Sequence, residues 1–581
     1  MGGIAIRAEE LTKDDRTGFR SRWVRVLGRT SRAMLLRLNL SSGRAALARA
    51  ALVGLLALLI RVAFVLDFAP RPLFDTNLAT GTDMEVLVGW ARRIASGDLL
   101  GRGSGPFWWA PLFPYTLGGI IALLGRDNLV GAALAQAVLG ALTCSLVYLL
   151  GRQVMDESTG LVAGLLAAAY GTAIFYVGIL LSTTLEVFLA VAILLAVTVA
   201  RARPTPRRWL GVGLVAGLGC LARPNFLLGV AAFGALLPVL LRRPDARTDW
   251  LLVRRVGVAF ALGTVLAIAP ATARNWVVGG RPVLVSAAGA ETFRIANSYD
   301  STPLNFVYPK KTRMPLASAA FWRHQARKAV LFWWGFEPPQ NVNYYLAREI
   351  SPFLRLPWLP FWLVVPLAAV GLWATRRRAH ALAHIYAFLG AYYVSVVAFF
   401  IIARWRLPLI VPLLLFTAAG ILALLRWVAA RQWRQAATAT AVAVALALVV
   451  SPGPGPFIFA ADHGQLGYIL ANRGAYAEAA DHLTQAAGGL QQATLHRDLG
   501  LFLHRLGRVA EARAALERAV ALAPDDPVSH RYLGRLLLGP GGDPGEALAH
   551  LARALALTPE GPGAAEARML LESLERGARA P

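Results

Sequence analysis

The sequence predicts an all-α protein: a polytopic membrane helix bundle of about eleven to thirteen spans, followed by a water-facing array of helical repeats. Three observations carry this. Of the 581 residues, 56% are hydrophobic and only 16% charged, with a mean hydropathy of +0.52, whereas soluble domains are about a quarter charged. Apolar stretches long enough to cross a bilayer, which takes about 20 residues, recur from residue 50 to residue 452. After residue 462 the pattern changes to amphipathic segments with a period of 33 to 34 residues.

Residues 1–49 are polar, Arg-rich and without an apolar leader, so a cytoplasmic basic tail is expected there. Candidate spans lie near 50–68, 107–124, 128–150, 159–179, 181–200, 208–222, 225–241, 254–273, 357–375, 380–402, 407–426 and 434–452. Arginines cluster at 201–208, 242–243 with 254–255, 376–378 and 426–434. The positive-inside rule puts these clusters in the cytoplasm with the tail. Residues 69–106 and 274–356 then become outer loops, and everything after 452 is extracytoplasmic. Twelve spans would leave both ends of the chain on one side, while the arginine pattern separates them. One broken or miscounted helix is therefore expected, placed between 150 and 186, and thirteen crossings are preferred to eleven.

Residues 453–462 read as a linker. Beyond it, Leu466-Gly467, Leu499-Gly500 and Leu533-Gly534 recur at spacings of 33 and 34, each trailed by an Ala-Glu-Ala-like element around Glu478, Glu511 and Glu546. That period and pattern resemble tetratricopeptide repeats, helix pairs that stack because one pair alone cannot bury its apolar face. The repeats are expected over 463–560, with a capping helix and tail over 561–581.

Composition also excludes functions. The net charge of +26 is spread between apolar runs, so it points to a membrane surface and not to nucleic acid. The two cysteines, Cys144 and Cys220, lie inside apolar runs and offer no disulfide framework. No phosphate-binding glycine loop, zinc triad or Ser-His-Asp set is present.

The chemistry candidates concentrate on the outer side. Asp83, in Thr80-Gly-Thr-Asp-Met-Glu85, follows the first span, where a carboxylate can touch both water and bilayer and serve as a base. Glu85 is its neighbour, Trp90 falls on a similar helical face, and Arg93 is near. The plain alternative is a solvated loop acid. Glu186 lies in an apolar span, where a charge costs about 2.5–3.5 kcal/mol or more at mid-bilayer and so faces a cavity or a partner; a structural cap is the alternative. Arg223, Arg274, Arg404 and Arg406 are expected near the outer interface, where a guanidinium fork suits a lipid phosphate; simple snorkelling competes with that reading. In the loop 274–356, Trp334, Glu337, Asn341 and Asn297 could hold a sugar or an acceptor, although an interfacial aromatic belt explains the tryptophans equally.

Taken in order, these pieces resemble the family 39 glycosyltransferases of the membrane-embedded GT-C fold, the group of protein O-mannosyltransferases and the aminoarabinose transferase of lipid A. The resemblance covers roughly residues 50–430 and rests on Asp83 with Gly97-Asp98, Pro111-Leu-Phe-Pro114, the Glu186 segment and Leu221-Ala-Arg-Pro224. It rests too on Arg274-Asn275 with Gly289 and Asn297, Phe336-Glu337 and Arg404-Trp-Arg-Leu-Pro408. Family members often carry Asp-Glu in the first loop; here Met84 follows Asp83, so the second acid is Glu85 or Glu186. The resemblance implies inverting transfer of a hexosyl or pentosyl unit from a polyprenyl-phosphate donor, with Asp83 as general base and arginines on the departing phosphate. It implies no cofactor, and the sequence leaves a divalent metal open. The acceptor, whether protein, lipid or glycan, is not readable, and the repeats are expected to engage it or a protein partner. High Ala, Arg and Gly content suggests a bacterial inner membrane, with the active site and repeats extracytoplasmic.

The competing reading is a lipid or glycan transporter or flippase with a repeat docking arm. Transporters place their sites near the midplane, often in internally repeated halves, whereas here polar groups gather at one interface and the halves do not echo each other. A scaffold that merely displays the repeats leaves the large outer loop without a purpose.

Overall fold

Gly43–Phe68 form α1, an unbroken apolar helix, in a computed structural model that describes residues 43–578 apart from 104, 126, 243–247, 305–307 and 453–457. Most of the expected basic tail and half of the expected linker lie outside those residues. After α1 comes a hairpin of shorter helices, α2 (Asp83–Ala95) and α3 (Leu112–Leu124). α4 (Leu129–Val154) returns antiparallel to α1, with Ser145 Oγ donating to Ala50 O at 2.8 Å. α5 (Glu157–Ala168), the short α6 (Gly171–Phe175), α7 (Thr183–Ala202), α8 (Pro206–Ala222), α9 (Phe226–Leu241) and α10 (Trp250–Val277) follow. A large loop carries α11 (Ala288–Ala296), α12 (Ala319–Leu331), α13 (Tyr344–Ile350) and α14 (Pro352–Arg355). The bundle closes with α15 (Phe361–Thr375), α16 (Ala383–Val397), α17 (Ala403–Ala429) and α18 (Trp433–Val450). Among the described residues no strand forms; only isolated bridges occur.

Six of these helices, α1, α4, α7, α10, α17 and α18, are long and apolar enough to cross a membrane by length and composition. Side-chain contacts fix their direction. Glu157 takes Arg49 at 2.9 Å and Arg152 at 2.7 Å, Arg426 reaches Asp156 at 3.5 Å, and Arg201 Nη1 donates to Ala381 O at 2.8 Å. These define a basic end of the bundle. The opposite end collects Asp83, Glu186, Arg223 and Arg404, on the side of the large loop. Between the two ends the chain passes eleven times, through α1, α4, α5 with α6, α7, α8, α9, α10, α15, α16, α17 and α18.

The apolar segment 107–124, expected to span, holds only the 13-residue α3, shorter than the six helices long enough to cross. Tyr115 at the start of α3 donates to Leu99 O, and Asp127 beyond its end pairs with Arg92 at 3.0 Å. Both ends of α3 thus lie beside α2 and its following turn. Its 13 residues make about 20 Å of helix. The region between 150 and 186 is broken, as expected, because α5 stops at a bridge between Tyr170 and Leu359, yet it still crosses. Eleven passes between the two ends, the lower bound of the eleven to thirteen spans expected, agree with the arginine pattern.

α17 is the hub. Every residue from Ala403 to Gly420 is buried, so its first turn is held rigidly at the end opposite the basic one. Backbones approach closely where glycine allows it: Gly371 of α15 faces Phe416 and Gly420 of α17, and Gly213 of α8 faces Phe260 of α10, the small-residue packing expected without a hydrophobic drive between helices.

The repeats form three helix pairs and a cap: α19 (Ala460–Asn472) with α20 (Tyr476–Gly489), α21 (Ala493–Arg505) with α22 (Val509–Leu522), α23 (Pro527–Leu537) with α24 (Pro544–Leu557), and α25 (Pro562–Ala578). In each pair the glycine of the Leu-Gly motif meets a leucine of the second helix, Gly467 on Leu483, Gly500 on Leu516 and Gly534 on Leu551. Leu466, Leu470 and Ala479 of the first pair belong to the same core as the membrane bundle, while most buried residues of the later pairs make a core of their own.

Candidate active site

Asp83 opens α2. Thr82 caps that helix, its side chain accepting from Glu85 N at 3.2 Å, and Glu85 Oε2 reaches back to accept from Gly81 N at 2.8 Å. This reciprocal cap satisfies two orphan donors and gives Glu85 a structural task. It leaves Asp83, in the same first turn, turned toward a cavity of about 1610 Å³. Asp83 Oδ2 takes Arg404 Nη2 at 2.6 Å and Asn341 Nδ2 at 3.0 Å. Oδ1 carries no bond among the described residues, and the side chain is 26% exposed. Asn341 reaches it from a backbone with φ of +66°, a conformation that asparagine tolerates better than most residues.

Glu186 sits in the first turn of α7, fully buried, and both its oxygens are used. Ser182 Oγ donates to Oε1 at 2.5 Å and Arg223 Nε donates to Oε2 at 2.6 Å. Arg223, immediately after α8, also lies 5.1 Å from the ring centroid of Trp405. Arg404 donates from Nε to Gln340 Oε1 at 2.9 Å. The first turn of α17 therefore brings Arg404 and Trp405 between the two acids. Asp83, Arg223 and Arg404 line one cavity, and the terminal nitrogens of Arg223 and Nη1 of Arg404 have no bond among the described residues.

The cavity has two kinds of wall. Leu227, Leu228 and Ala231 of α9 with Val394 of α16 make one side; Leu228 and Val394 are exposed, so this side opens where lipid would lie. Thr80, Gln340 and Asn341 with residues of α19 make the other, polar side.

The remaining residues singled out from the sequence lie elsewhere. Arg406 is buried against Glu337 at 2.6 Å and donates to the carbonyls of Phe332, Trp334 and Phe336. Glu337 also accepts from Tyr170 and Thr172 at 2.8 and 3.0 Å, so this pair folds the loop onto α17. Arg274 donates to the carbonyls of Leu100, Gly101 and Gly105 and covers the Phe107 ring at 4.2 Å, clamping the first loop. Trp90 packs on Phe107 and Tyr115, and Trp334 on Phe336. Arg93 is exposed on α2, three turns from Asp83. Asn297 is buried, its Oδ1 accepting from Gln325 at 2.6 Å and from Lys328 Nζ at 2.9 Å. Burial pulls the Lys328 ammonium down to about 7. None of these lines the cavity.

Ser182, Gln340 and the cavity-lining residues of α19 are not among the sequence-derived site candidates. Ser182 stands four residues before Glu186, a helical-neighbour spacing that was open to notice. Gln340 and α19 meet Arg404 and the cavity only through tertiary structure.

Residues 108–273 match the family model described as dolichyl-phosphate-mannose-protein mannosyltransferase, and residues 490–560 match that of the tetratricopeptide repeat. No curated protein matches the chain significantly. The apo oligosaccharyltransferase of Archaeoglobus fulgidus is 15% identical over 71% of this chain and 57% of its own, with a TM-score of 0.43. The same archaeal enzyme, AglB, in complex with an inhibitory peptide and a dolichol-phosphate, is 14% identical over 75% and 59%, TM-score 0.43. ArnT from Cupriavidus metallidurans bound to undecaprenyl phosphate is 15% identical over 91% and 78%, TM-score 0.41. The chain thus spans under two thirds of the archaeal enzyme's length. The described residues form a bundle of apolar helices followed by stacked helix pairs, and residues 490–560 of those pairs match the tetratricopeptide repeat model.

Proposed function

We propose that the chain transfers a sugar from a polyprenyl-phosphate donor to a hydroxyl-bearing acceptor (or an equivalent nucleophile), by inverting displacement. The observation that carries this is the single cavity with an apolar, bilayer-facing side, a polar side, a half-free carboxylate and two arginines with unspent donors. The acceptor oxygen attacks the anomeric carbon and its proton passes to Asp83 Oδ1. The bond from that carbon to the phosphate oxygen breaks, and the electron pair leaves with the polyprenyl phosphate. Arg404 and Arg223 meet the charge growing on that phosphate, where pre-aimed donors in a dry site supply much of the rate. Glu186, with both oxygens occupied, positions Arg223. Asn341 and Arg404 turn Oδ2 of Asp83 away and present Oδ1.

The arginine-rich end marks the cytoplasmic side by the positive-inside rule, so the cavity and repeats face the extracytoplasmic side of what we take to be a bacterial inner membrane. The test is Asp83→Asn in membranes supplied with a panel of polyprenyl-phosphate sugars, reading sugar transfer and free polyprenyl phosphate. A folded variant is expected to lose about 10²–10⁴-fold in kcat. Equal turnover in both proteins removes Asp83 as base, and no turnover by the wild type with any donor overturns the transferase reading in favour of transport.

A further inference from the structure

α19 has two faces set by its sequence. Leu466 and Leu470 point inward and join the core of the membrane bundle. Ala461, Gln465, Tyr468 and Asn472, at i, i+4, i+7 and i+11, lie along the other face and line the cavity that holds Asp83. The helix is pinned there. Asn343 Nδ2 donates to Asp462 Oδ2 at 2.7 Å, and Arg473 pairs with Asp75 at 2.5 Å and donates to the carbonyls of Pro70 and Arg71. A repeat array that only hung from the membrane would not share the bundle's core or wall its cavity.

The groups on this wall are specific. Asp462 Oδ2 takes both Asn343 Nδ2 and Phe459 N, so one oxygen of this carboxylate anchors the helix. Gln465 and Asn472 make no hydrogen bond among the described residues. Tyr468 stands between them, 37% exposed, its hydroxyl donating to Asp498 of the next repeat at 3.2 Å. Gln340 faces them with its Nε2 unbonded among the described residues, since its Oε1 is the atom that takes Arg404.

We propose that α19 is the acceptor subsite and that the acceptor is an extended polypeptide segment; this rests on the transferase reading above. A carboxamide offers one acceptor and paired donors, the complement of a peptide unit. Gln465 and Asn472 are seven residues apart on one helical face, about 10 Å, the length of about three extended residues. The Tyr468 ring between them gives a flat surface for a side chain. A lipid acceptor would need an unbroken apolar wall, whereas Gln465, Tyr468 and Asn472 interrupt Phe459, Ala461 and Ile469 here.

The experiment uses the full chain in liposomes with a donor that the wild type turns over. Acceptors are a pool of unstructured Ser- and Thr-containing peptides, an oligosaccharide and a short-chain lipid alcohol. With peptide as acceptor, Gln465→Ala/Asn472→Ala is expected to raise peptide KM about tenfold or more, with kcat at saturation within about twofold. Gln465→Asn/Asn472→Gln is expected to restore most of the affinity, and thermal melting checks the fold of each. An unchanged peptide KM overturns the subsite. Transfer by the wild type to the oligosaccharide or lipid alone overturns the polypeptide class. If the wild type releases no polyprenyl phosphate with any donor, the transferase reading fails and this inference falls with it.

Discussion

Arg404 and Arg406 stand two residues apart in one helical turn and have opposite commitments. Arg404 keeps an unspent guanidinium nitrogen at the cavity, whereas Arg406 is fully enclosed between Glu337 and three carbonyls. Arg404→Gln is therefore expected to give folded protein with kcat lowered about 10²–10³-fold. Arg406→Gln leaves the Glu337 charge buried without its partner, at a cost of about 3–5 kcal/mol, and is expected to abolish detergent-solubilised yield. Normal yield of Arg406→Gln with lost activity would put Arg406 on the substrate. Position and residue type placed both arginines near the interface in the sequence. The carbonyls that consume Arg406 and Arg274 come from segments remote in the chain, and no spacing rule finds them. Glu186 was legible because an acid amid apolar residues needs a reason, and Asp83 because a polar stretch directly after a span meets both water and bilayer; their division into a half-free carboxylate and a saturated one needed the geometry.

At the scale of elements, the helical bundle was legible in nearly every segment except α3. Hydropathy counts apolar residues and is blind to which face a helix lies along, so 13 residues beside α2 looked like a span. Ser96→Cys and Asp127→Cys are expected to react with a membrane-impermeant maleimide from the same side of sealed vesicles. Labelling from opposite sides would restore α3 as a crossing. A second element makes a pH prediction. Lys328 holds the end of α11, its Nζ donating to Ala296 O at 2.9 Å, and burial lowers its pKa from the ordinary 10.5 to about 7. Between these values the unfolded chain binds more protons, so this group's contribution to stability rises with pH across that window. Its penalty is fully present below pH 7. Wild-type Tm is expected to gain on that of Lys328→Met between pH 7 and pH 9, and parallel profiles would contradict the assignment.

At the scale of the molecule, periodicity revealed the repeats and composition revealed the membrane, but nothing local joined them. Asn343 and Asp462 are 119 positions apart, so their bond, and with it the place of α19 in the cavity wall, was invisible in the sequence. On the proposed transferase reading, the two-sided cavity also dictates how the protein meters its substrates. A donor entering past Leu228 and Val394 diffuses in two dimensions, and the concentration it presents is its share of the surrounding lipid. An acceptor arriving past α19 comes from the bulk. Diluting the bilayer with inert lipid at constant total donor should slow turnover in proportion to the donor's fallen mole fraction and leave the acceptor's KM where it was. Indifference to that dilution would mean that the donor, too, comes in from the water.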